Sequence, residues 1–184
     1  MFWFTKRAAH YSASLFVFCK LAFSNRTMKQ VSEESLVNAV NYIHGLDDDG
    51  LDNFIEGHAL KQPNLIGYVL QAGEEFENET LANYSIYYYS ILMRAFEEEG
   101  IEFREITVED IDSFQEPFIM ALDEAFKKES EEALFDLVGQ PVLQQFLAHD
   151  LMGEDENGDT LDDETVNQLF IVLHGAIGLI NSIK

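Results

Sequence analysis

The stretch "NETLANYSIYYYSILMRAFEEEG", Asn78 to Gly100, decides what kind of fold this chain adopts. Leu81, Tyr84, Tyr88, Leu92 and Ala95 recur at three- and four-residue intervals, and Tyr89, Met93 and Phe96 widen that stripe. This period belongs to a helix, and a helix apolar over so much of its circumference sits at the centre of a bundle. Tyr87, Tyr88 and Tyr89 point in three directions around it. Tyrosine buries its ring and keeps its hydroxyl wet or bonded, so the expected role is core plus rim.

The same period continues outward on both sides. Leu36, Val40 and Ile43 line a first helix, with Ser32 as its N-cap and Glu33 and Glu34 in the first turn. A second run begins near Leu51 and fades around Ala59. Pro63 opens a third, along Leu65, Val69, Ala72 and Phe76. "GIEFREITVED" (100–110) alternates like a strand but is short and has no evident partner, so it reads as an extended connection. Thr107 and Asp110 have capping-box spacing before Ile111, Phe114, Phe118, Leu122 and Phe126. Pro117 inside that run predicts a kink or a split. Pro141 starts another helix, and Thr160 and Asp163 again show capping-box spacing ahead of Val166, Leu169, Phe170, Leu173, Ile177 and Ile180. No βαβ rhythm appears. The expected fold is an all-α, single-domain bundle of six or seven helices.

Charge divides the chain. Residues 1–27 carry Lys6, Arg7, Lys20 and Arg26 and no acid, a formal +4. The remaining 157 residues hold all 34 Asp and Glu against seven Lys and Arg, a formal −27. Residues 1–27 therefore read as a basic leader outside the fold, and 28–184 as an acidic domain. The leader fits three descriptions: upstream sequence before a natural start at Met28, an organelle presequence, or a secretory signal lacking a clean cleavage site. Its apolar run is too short for a membrane span and is broken by Lys20. A start at Met28 implies a cytoplasmic protein. Cys19 is the one cysteine, which excludes an internal disulfide and a thiolate metal cage.

Two acidic stretches raise the question of calcium. With Gly50 at position 6 of an EF-hand loop, Asp47, Asp49 and Glu56 fall at positions 3, 5 and 12. With Gly158 there, Asp155, Asn157 and Glu164 do the same. Position 1 is glycine in both, Gly45 and Gly153, and the aliphatic position 8 is Asp52 or Thr160. The first ligand and the hydrophobic clasp are missing twice. Asp47–Glu56 and Asp155–Glu164 read instead as corners where a left-handed glycine ends one helix and acids favour the start of the next.

His149-Asp150 resembles the metal-binding HD dipeptide of all-α phosphohydrolases, whose chemistry needs several further His and Asp ligands to activate water. His44, His58 and His174 bring no such motif, and no histidine has Glu three residues before it, as di-iron bundles require. No P-loop, nucleophile elbow or zinc-protease motif occurs, and the sequence names no catalytic, cofactor or metal residue. The reading favours a non-enzymatic acidic helical interaction protein (an adaptor, inhibitor or chaperone) for a basic protein partner. Phosphate repulsion argues against direct nucleic-acid binding. The alternative is a metal-dependent all-α hydrolase using His149, Asp150 and nearby carboxylates. Tyr87, Tyr88, Phe103 and Phe114 are the expected aromatic anchors of an interface.

Overall fold

The computed structural model describes residues 29–128, 131–153 and 160–183; the leader and Asp155, Asn157 and Gly158 of the second acidic corner lie outside them. Within the described residues there are eight helices and no strand: α1 (Glu33–His44), α2 (Asp48–Lys61), α3 (Pro63–Glu75), α4 (Glu79–Glu98), α5 (Val108–Lys128), α6 (Glu132–Val138), α7 (Pro141–Asp150) and α8 (Asp163–Ser182). The bundle is all-α as its periodicity requires. The additional helix is α6, whose seven residues are too few to show a period.

Two helices organise the rest. α4 touches α1, α2, α3 and α8; α8 touches α3, α4, α5, α6 and α7. Their N-termini meet where the Asn78 amide donates to Thr165 Oγ1 at 3.2 Å. α3 approaches α4 closely because Gly73 has no side chain: a Cβ there would lie 2.7 Å from Ala82 Cβ and 2.9 Å from its Cα. α8 is buried around most of its circumference, from Leu169 to Ile180. By length and composition it could cross a membrane, but most of it is enclosed by its neighbours. Each large apolar side chain so enclosed contributes roughly 1.5–3 kcal/mol.

Local signals fix most helix starts. Ser32 caps α1 by accepting from Ser35 N at 3.2 Å. Thr107 and Asp110 form a reciprocal box: Asp110 Oδ2 accepts from Thr107 N at 2.9 Å, and Thr107 Oγ1 accepts from Asp110 N at 3.2 Å. Arg104 adds a two-pronged ion pair to Asp110, which holds that carboxyl well below the usual carboxylate range. At α8 the cap is Asp162, not Thr160; its carboxylate accepts from both the amide and the hydroxyl of Thr165. A carboxylate one turn before a threonine satisfies two donors at once, which a Thr160 hydroxyl could not. α5 runs through Pro117 unbroken. Pro117 and Ser113 are both exposed, so the helix carries the proline on its solvent face.

The two glutamine–proline junctions repeat one device. Gln62 precedes Pro63 and is buried; its side-chain amide donates to Arg104 O at 3.0 Å and accepts from Ile106 N at 2.9 Å. Gln140 precedes Pro141 and is buried; its amide donates to Lys29 O at 3.1 Å and accepts from Val31 N at 2.8 Å. In each case a carboxamide pairs with the carbonyl of one residue and the N–H of the residue two further on, as a neighbouring strand would. Extended segments with no sheet partner thereby satisfy their buried backbone. This explains how the strand-like 101–107 connection exists without a strand beside it.

Candidate functional site

The first acidic corner is the start of helix α2. Asp47 is its N-cap and accepts from Gly50 N at 2.9 Å, with Asp48 and Asp49 in the first turn. Gly50 is therefore helical rather than the pivot of a loop, and the acids cap α2 instead of converging. The glycine conformation differs from expectation. Gly45 ends α1 at φ −84, and Gly153 is not left-handed either; the left-handed glycines among the described residues are Gly100 after α4 and Gly139 after α6. Backbone N–H groups at Gly45 and Gly153 reach back to the last carbonyls of their helices without a positive φ.

Among the described residues no group of three or more His, Cys, Asp and Glu is placed to hold a metal ion. His149 and Asp150 are adjacent in α7, both exposed, and no third ligand joins them. Asp150 is engaged differently: its carboxylate accepts from the Tyr88 hydroxyl at 2.8 Å.

That bond is part of a cluster from three helices. α4 supplies Tyr84, Tyr87 and Tyr88; the C-terminus of α1 supplies His44; α7 supplies Phe146 and Asp150. A ring nitrogen of His44 shares a 2.5 Å hydrogen bond with the Tyr87 hydroxyl, and the two rings stack at 16°. Tyr87 meets Tyr88 edge-on at 71° with centroids 5.1 Å apart, and Phe146 meets Tyr88 at 64° and 6.1 Å. Tyr84 lies along Tyr88 at 6.3 Å. Tyr88 is buried, Tyr84 and Tyr87 are half-buried, and His44 and Asp150 are exposed. The tyrosines thus divide into core and rim.

The electrostatics define what this cluster can do. Burial, aided by the Asp150 charge, pushes the Tyr87 phenol up to about 12. Burial and the hydrogen bond to Asp150 raise Tyr88 further. Both phenols remain protonated at neutral pH, so they donate and offer ring faces but supply no phenolate base. The carboxylate of Asp150 supplies negative charge at the rim.

Asp150 stands beside His149 in the sequence, whereas the fold joins it to Tyr88. The pairing of His44 with Tyr87 spans 43 positions and that of Tyr88 with Asp150 spans 62, so neither leaves a local motif. Of the expected aromatic anchors, Tyr88 and Phe114 are buried, while Tyr87 and Phe103 are half-buried. The buried pair lies in the core because α4 and α5 turn those faces inward. Comparison with protein-family models, curated proteins and solved structures finds no match for this chain.

Proposed function

We propose that this protein is a non-enzymatic interaction module whose acidic surface engages a basic protein partner as an adaptor, inhibitor or chaperone does. One observation carries the reading. From residue 28 onward 34 carboxylates face seven basic residues, so most of the acids have no cation of their own. Among the described residues, Lys29 pairs with Glu99, Arg94 with Glu97 and Glu98, Arg104 with Asp110 and Lys127 with Asp123. The unpaired carboxylates create a field that reaches about 10 Å at 0.1 M salt and draws in positive surfaces.

A pull-down from native lysate with the full chain, run at low and high salt, tests the reading. The expected result is capture of proteins with basic surfaces, released as salt rises. Retention of neutral or acidic proteins that survives high salt contradicts it.

A further inference from the structure

The molecule holds one of its own cations between an aromatic ring and two carboxylates. The Arg94 guanidinium lies 4.2 Å above the centre of the Tyr42 ring and pairs with Glu97 and Glu98. A planar cation between a phenol face and carboxylates is a favourable arrangement, because the ring quadrupole and the acid attract the same charge. The α1–α4–α7 cluster contains the same parts: the phenols of Tyr84 and Tyr87 at the rim, both packed against Tyr88, whose hydroxyl donates to the Asp150 carboxylate. Among the described residues no lysine or arginine pairs with Asp150; Lys29, Arg94, Arg104 and Lys127 pair with other carboxylates.

We infer that the rim formed by Tyr84, Tyr87 and Asp150 is the docking site for a basic side chain of the partner, an arginine in preference to a lysine. The inference rests on the interaction reading above and assigns it a place. Charge complementarity selects the occupant: an acid and two aromatic rims attract a cation and repel an acidic or phosphorylated ligand. Arginine is favoured because its flat guanidinium can lie on a ring while its fork meets a carboxylate, whereas an ammonium makes a point contact. His44 holds the Tyr87 ring in place and so is a positioning residue.

Titration of the full chain with a tri-arginine and a tri-lysine peptide at low salt, followed by NMR and calorimetry, tests the site. Tri-arginine is expected to bind tighter and to shift the signals of Tyr84, Tyr87 and Asp150 first. Tyr84→Leu and Asp150→Asn should each weaken it about fivefold, the scale of a partly desolvated cation–aromatic contact. Tyr84→Phe, which keeps the ring face, should bind like the wild type, and Asp112→Asn with Glu116→Gln on the exposed face of α5 should change little. Asp150→Asn also alters the Tyr88 bond; Tyr84→Leu is the independent arm. Wild-type affinity in Tyr84→Leu, or first shifts at the Asp47–Asp52 turn, overturns the site while leaving the acidic-surface reading standing. Absence of any tri-arginine binding at low salt overturns both.

Discussion

α4 and α8 are both twenty residues long and both central, yet they do different work. α8 is enclosed nearly all round, and its two glycines admit ring ends from its neighbours. A Cβ at Gly175 would lie 2.0 Å from the Tyr68 hydroxyl, and one at Gly178 would lie 2.4 Å from Phe114 Cζ. α4 buries one side and carries Tyr84 and Tyr87 to a surface shared with α1 and α7. A helix with no free face can only hold the fold together. A helix with an aromatic edge can do that and also meet a partner. Substitutions in α8 should therefore act on stability, whereas substitutions at the α4 edge should act on binding.

The largest break in that comparison is expected where the scaffold has no room. Gly73→Val would press on the backbone of Ala82 in α4, which cannot swing aside as a ring end can. About 3 kcal/mol of stability should be lost, measured by chemical denaturation. Gly175→Ala should be milder, because the atoms it meets belong to side chains.

A second effect comes from His174, buried in the middle of α8. Its Nδ1–H donates to Phe170 O at 2.8 Å, its Nε2 has no partner, and burial lowers its pKa to about 4. The unfolded chain protonates this histidine near 6.5 while the folded chain does not. Its contribution is therefore fully present above pH 6.5 and is lost as pH falls from 6.5 towards 4. At pH 5 the loss should be about 2 kcal/mol, and His174→Phe should flatten the pH dependence in that window. From about pH 4.5 downward the carboxyl of Glu99, held down to about 2 by hydrogen bonds from Ser32 and Ser35, adds its own loss.

The glutamine junctions sharpen the comparison further, since they fasten extended segments to the scaffold. Gln62→Ala strands Ile106 N and Arg104 O, and Gln140→Ala strands Val31 N and Lys29 O. Each should cost roughly 1–3 kcal/mol. Gln140 should lie at the lower end when replaced by glycine, because its backbone sits at φ 57, where glycine is unstrained.

The smallest effect separates a cap from a ligand. Asp47→Ala should cost about 1 kcal/mol, as for other N-caps, and the cost should be the same with and without millimolar calcium. A calcium-dependent melting shift abolished by this substitution would contradict the assignment of the first corner.

These outcomes bear on how much the chain reveals unaided. Ser32, Pro63, Pro141 and the Thr107–Asp110 box were legible because each acts within one turn of itself. The central place of α4 was legible because its apolar period is long. α6 was not, since seven residues carry too little period, and the passage through Pro117 depends on exposure that no sequence displays. The rim cluster is assembled from α1, α4 and α7, and no local pattern announces a contact between His44 and Tyr87. Gln62 and Gln140 look like ordinary residues before proline until the segments they grip are in place.

The central claim is that the acidic surface serves encounter with a basic partner. Its most direct test is the rate of association between the full chain and a partner recovered at low salt, followed from about 0.05 M to about 0.5 M salt. Long-range attraction acts on the approach, so association should slow at least tenfold while dissociation changes about twofold or less. An association rate indifferent to salt would contradict the account and leave the surplus of carboxylates as a device for solubility alone.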